Sequence, residues 1–162
     1  MIEQYKSRGP KAALIEQLGG LVVRMQDGTQ RYDEAVGEVY GLGAAERLCL
    51  SFLLEGPQTA SAIAKHVRLT PAAITALIDR LEARGYVRRK PDPSDRRKVF
   101  VEMAEATTKL AAEAYLPLQE AGAANLAKYT ETELKLFVKF LSDSIVIQER
   151  LTRDFLERNG KS

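Results

Sequence analysis

The chain has one cysteine, one histidine and no tryptophan in 162 residues. A lone thiol, Cys49, cannot build an intrachain disulfide framework and suits a reducing cytoplasm. One histidine and one cysteine fall short of an ordinary structural zinc site, so no metal or cofactor is expected. Long hydrophobic runs are missing too: nothing approaches about 18 uninterrupted apolar residues, so no membrane span is expected. The N-terminal MIEQYKSRGPK carries charge but no apolar signal-peptide core, and a cytoplasmic location is expected. The sequence also lacks a Gly-rich phosphate loop, a nucleophile elbow and metal-ligand spacing. With His66 the one histidine on offer as a general base, it does not read as an enzyme.

What is present is an ordinary globular composition, 45% hydrophobic and 28% charged, long enough to bury a core. The net charge of +2 names no partner, but its distribution is uneven. Residues 65–100 hold ten basic side chains against four acidic ones, and the rest of the chain holds 14 against 18. A basic middle in an acidic remainder is the footprint of a nucleic-acid-binding module.

Periodicity organises the chain as mainly α with a small β-hairpin. Leu14, Ile15, Leu18, Leu21, Val22 and Met25 mark a long helix over 11–40, with Gly19-Gly20 and Asp27-Gly28 as points where it can bend. The stretch GLG at 41–43 stops it, and a short apolar helix follows over 44–55, ended by Gly56-Pro57. Thr59 is an N-cap for a helix to about His66. Thr70-Pro71 then starts a helix over 71–84 that Gly85 terminates. Two short helices so joined make a helix-turn-helix. YVRRKP and KVFVEM alternate as the two strands of a hairpin around a Pro/Asp/Ser-rich link. Two long helices are expected over 104–128 and 131–158, the second opened by a Thr130/Glu133 capping box.

The helix after Thr70 shows a core arc of Ile74, Leu77, Ile78 and Leu81. Its opposite face carries Ala72, Thr75, Ala76, Asp79 and Arg80, with Ala73 and Arg84 on the flank. Small side chains there let a backbone approach a major groove closely, and their methyls can meet thymine methyls. The hairpin then reads as a wing whose tip, DPSDRR, holds Arg96 and Arg97 toward a minor groove or its phosphates. Asp95 stands two residues before Arg97, close enough to orient its guanidinium. The candidate DNA-binding set is Thr59, Ser61, Thr70, Pro71, Ala72, Ala73, Thr75, Arg80, Asp95, Arg96 and Arg97. In 131–158, Leu134, Phe137, Leu141 and Ile145 form one stripe, and Leu136, Phe140, Ile147, Leu151 and Phe155 form another. A helix apolar on two faces needs two partners, and a two-fold dimer supplies the second. The division expected is 41–103 for the winged helix-turn-helix and 1–40 with 104–162 for the dimerisation helices.

The stretch LIDRLEARGYVRRKPDPSDRRKVFVEM resembles the recognition helix, glycine turn and wing of the MarR family of bacterial regulators, down to an Asp-x-Arg wing signature (Asp95, Arg97). The order of the flanking helices is similar as well. The resemblance implies a homodimer on a pseudo-palindromic DNA operator, usually a repressor, often released by a small aromatic or phenolic ligand or by oxidation. It also implies an effector pocket, here from Tyr32, Tyr40, Arg47, Phe52 and His66. The family tends to have Leu-Thr where this chain has Met103-Ala104, which weakens the N-cap of the next helix. Two other readings stay open: a winged-helix protein–protein module without specific DNA binding, and a redox-responsive regulator using Cys49. An inert buried thiol suits Cys49 better, since only Arg47 stands near it in sequence to lower its pKa.

Overall fold

The computed structural model describes residues 9–92, 95 and 98–160. Helix α1 (Pro10–Tyr40) runs without interruption through both glycine sites and ends at Gly41, whose φ of 60° fits a left-handed cap. Helix α2 (Ala44–Leu53) follows, opened by Glu46, which accepts from the Gly43 N–H at 2.8 Å. A short strand β1 (Gln58–Thr59) leads into α3 (Ala60–Val67) and α4 (Pro71–Ala83). The hairpin is β2 (Val87–Pro91) with β3 (Val99–Met103). Next come α5 (Glu105–Leu110), a π-helical turn (Ala111–Tyr115), α6 (Leu116–Leu126) and α7 (Glu131–Arg158).

Two features depart from the sequence-based expectation. The sheet has three strands in the order β1-β3-β2, all antiparallel, so the chain before α3 pairs with the hairpin. A two-residue strand is too short to show a period of its own; only its partner reveals it. The helix expected over 104–128 is also broken into α5, the π turn and α6. Pro117 explains the break, because it cannot donate to the carbonyl of residue 113 and its ring crowds that group. The backbone widens there into a π turn.

The chain falls into two compact units, one ending at Ala111 and the other starting at Ala112. In the first, the core is built from Cys49, Leu50 and Leu53 of α2, Ile63 and Val67 of α3, and the four apolar residues of α4. Tyr86, Val87 and Val101 close it from the sheet side. Helix α5 is fastened to this lobe although Ala104 offers no side-chain cap. The N–H groups of Ala104 and Ala106 donate to Tyr86 O and Gly85 O at 2.9 and 3.2 Å, and the buried Thr107 hydroxyl donates to Tyr86 O. The carbonyls of the glycine turn thus replace the missing cap. In the second unit, the Thr130/Glu133 capping box forms, and Tyr129 meets Phe137 edge to face at 5.0 Å. No residue of α7 is buried.

Candidate nucleic-acid interface

Helix α4 is laid down as the spacing predicts. Thr70 Oγ1 accepts from the Ala73 N–H at 3.3 Å, Pro71 takes the first helical position, and Ile74, Leu77, Ile78 and Leu81 are buried. Ala72, Thr75, Ala76, Asp79 and Arg80 are exposed together on the other side, with Ala73 half-buried beside them. The Thr75 hydroxyl donates to Pro71 O at 2.9 Å, so its methyl and a lone pair remain for an outside partner. Arg80 makes one long contact to Glu46, 3.5 Å, and stays exposed. In α3, Thr59 Oγ1 accepts from the Ala62 N–H at 3.2 Å, and Ser61 is exposed.

The tip loop of the wing is closed by the Asp92 N–H donating to Lys98 O and the Lys98 N–H donating to Asp95 O, both 2.9 Å. Asp92 Oδ1 accepts from the Asp95 N–H at 3.3 Å, so the first aspartate of the tip shapes the turn. Arg96 and Arg97 lie outside the described residues. The pairing of Asp95 with Arg97 therefore does too.

The basic cluster is less free than its composition implies. Arg84 donates from Nη1 to Gly41 O at 2.9 Å and from Nη2 to Tyr40 O at 2.5 Å, and sits over the Tyr86 ring. It thereby caps the C-terminus of α1, where a cation is favoured. Arg88 and Lys90 both hold Glu102 on β3, at 2.6 and 3.2 Å. The Arg88 hydrogen bond chiefly, with Lys90 adding to it, outweighs desolvation and holds the Glu102 carboxyl below its ordinary pKa. Arg89 is bound by Asp79 and Glu82 of α4. Among the described residues Lys65, Arg68 and Lys98 have no carboxylate partner, and Arg68 adopts a left-handed φ of 59° in the turn between α3 and α4. Sequence reading missed the acid pair of α4 as an arginine site; its signal was Asp79 and Glu82 three apart, followed by Arg88-Arg89 beyond a glycine turn.

The residues expected around an effector are dispersed over α1, α2 and α3. Arg47 donates to Asp33 Oδ2 at 2.7 Å and to Leu42 O at 2.8 Å, bracing α1 against α2. It lines an open depression of about 370 Å³ with Glu34, Gly37, Glu38, Gly41 and Leu42. Phe52 and His66 stack face to face, centroids 4.1 Å apart. Tyr32 and Tyr40 lie along α1, Tyr32 exposed and Tyr40 half-buried. Cys49 has no exposed surface, and burial, with the charge of Glu46, pushes its thiol up to about 11. A thiol kept protonated and covered is a poor nucleophile, which counts against a redox role. Among the described residues no cluster of three or more His, Cys, Asp or Glu could hold a metal, and no helix is long and apolar enough to cross a membrane.

Residues 54–99, from the end of α2 to the start of β3, match the model of the MarR family. Over 127 residues the chain is 35% identical to the uncharacterized HTH-type transcriptional regulator YcgE of Bacillus subtilis, covering 77% of this chain and 82% of that protein. Over 51 residues it is 41% identical to the HTH-type transcriptional repressor NicR of Pseudomonas putida, a third of either chain. Among solved structures, a single-residue mutant of MepR from a multidrug-resistant S. aureus clinical isolate superposes with a TM-score of 0.63 at 16% identity, over 81% of this chain and 96% of that one. A second S. aureus MepR mutant, bound to an oligodeoxyribonucleotide, gives 0.52 at 19% identity, over 80% and 96%.

Proposed function

The chain belongs to the MarR family and is a DNA-binding transcriptional regulator; from that premise we propose that it acts as a homodimeric repressor released by a small ligand. The observation that carries the reading is the outward face of α4, where Ala72, Thr75 and Ala76 stand exposed beside Arg80 and beside a two-stranded wing. A helix with so little side-chain bulk can enter a major groove deeply enough for base edges to be read. Thr70, Pro71, Ala72, Ala73, Thr75 and Arg80 address the major groove, with Thr59 and Ser61 on the adjoining backbone. Arg96 and Arg97 address the minor groove or its phosphates, and Asp95 orients Arg97. Two such helices about a two-fold axis read half-sites about 34–36 Å apart.

Repression is supported by the likeness of about a third of the chain to NicR, a named repressor. The ligand is aromatic or phenolic and binds near the stacked Phe52–His66 pair and Arg47, with Tyr32 and Tyr40 on the α1 side. By binding there it changes the separation of the two recognition helices, and one half-site loses its contacts. Acting on DNA, the protein works in the cytoplasm. The test is a titration of the purified protein on the DNA upstream of its own gene across salt concentrations. A steep negative log–log salt slope with preference over random DNA is expected. A flat slope, or equal affinity for random DNA, would leave the wing as a surface for an acidic protein and sink the repressor reading.

A further inference from the structure

Arg89 lies on the side of the β2 pleat that carries the buried Val87, but the residue itself is exposed. It pairs directly across the hairpin with Val101, which is buried. Its neighbours Arg88 and Lys90 point to the other side, where they meet Glu102. From the Val87 side the Arg89 guanidinium reaches the last turns of α4. Nη2 donates to Asp79 Oδ1 at 2.6 Å, Nη1 donates to Glu82, and the Arg89 backbone N–H donates to Glu82 Oε1 at 2.8 Å. Burial opposes the charge most strongly, yet the hydrogen bonds and charges of Asp79 and Glu82 together raise the guanidinium's pKa above its ordinary value. Three hydrogen bonds thus join one residue of the wing to two acids of the recognition helix.

We propose that Arg89 is a positioning residue for DNA recognition: its fork between Asp79 and Glu82 fixes the wing at a set angle to α4, so that both DNA-reading elements dock as one rigid unit. The proposal rests on the DNA-binding reading and adds a coupling between its two halves. The fork suits the task because a planar guanidinium engages two carboxylates at fixed angles, which an ammonium cannot do. A hairpin freed from α4 must be ordered again at each binding event, and that ordering weakens binding.

The experiment compares the full-length wild type with Arg89→Gln and Arg89→Lys, with and without upstream DNA. Without DNA, Arg89→Gln should speed amide hydrogen exchange in β2 while the core amides of α4 keep their protection, which also verifies the fold. With DNA, Arg89→Gln should bind about tenfold more weakly at an unchanged log–log salt slope, with Arg89→Lys between it and the wild type. Hydroxyl-radical protection by the wing should fade while guanine N7 contacts in the major groove persist. A salt slope shallower by about one would make Arg89 a phosphate contact and overturn the proposal. Unchanged exchange in β2, or unchanged affinity beside a wild type that binds, would overturn the clamp alone. A wild type without sequence preference would overturn the DNA reading and the clamp's role in it together.

Discussion

Gly20 and Gly37 belong to the same helix, yet an added methyl group meets opposite fates at the two positions. At Gly20 the space is open, and the position lies on the side of α1 away from the Leu14–Met25 stripe. At Gly37 a Cβ would lie 2.8 Å from Leu42 O and collide with the Arg47 guanidinium, which is held in place by Asp33. Gly20→Ala should therefore stabilise by roughly 0.5–1 kcal/mol, the ordinary gain from removing a helical glycine. Gly37→Ala should destabilise by roughly 1–3 kcal/mol, because a backbone carbonyl cannot swing aside as a side chain can. Thermal unfolding of both variants reads the difference, about 2–4 °C per kcal/mol for a chain of this size. Equal shifts of one sign would show that Arg47 does not brace α1. At this scale much was legible beforehand. The caps at Thr59, Thr70 and Thr130 all form, since capping is local and needs only a hydroxyl and the next turn. The roles of Arg47 and Arg84 were not, because their partners lie 14 and more than 40 residues away.

Helix α7 shows how an element's ends respond to acid. The Thr130 hydroxyl and backbone N–H donate to Glu133 Oε2 at 2.7 and 2.8 Å, and in that order of weight they lower the Glu133 pKa from its ordinary 4.5. A carboxyl whose pKa is lower in the folded state stabilises above its unfolded pKa. That contribution disappears as pH falls through the folded value. The melting-temperature gap between wild type and Glu133→Ala should thus be present at neutral pH and shrink as pH falls below the ordinary carboxylate range. A gap that persists in acid would mean that the box does not act through the ionised carboxylate. Legibility at this scale varies with the signal. Long periodic segments such as α1 and α7 were readable from their stripes. The two residues of β1 carry no periodicity, and the π turn shows only through Pro117.

For the molecule as a whole, the decisive feature is apolar surface left open. Helix α1 exposes Leu14, Ile15, Leu18, Leu21 and Met25, and α7 exposes Leu136, Phe140, Ile145, Leu151 and Phe155. Ile145 and Phe155 are 54% and 61% exposed, and a monomer rarely leaves residues of this kind in continuous rows. Under the dimer reading, Ile145→Asp combined with Phe155→Asp should weaken association at least about tenfold and turn a two-half-site complex into single-site binding. Sedimentation at graded concentration measures the first and footprinting the second. A double variant that stays dimeric would move the interface off α7.

By itself the sequence determined the helix-turn-helix, the hairpin, the core face of α4 and its family resemblance, since each is carried by spacings of a few residues and backbone rules that act locally. Only the tertiary structure decided which charges are available. Ten basic residues in 65–100 looked like one DNA-facing cluster, but Arg84, Arg88, Arg89 and Lys90 are committed to α1, β3 and α4. The physical reason is that an ion pair depends on distance in space, and a strand register or a helix crossing brings together acids and bases that no spacing along the chain relates.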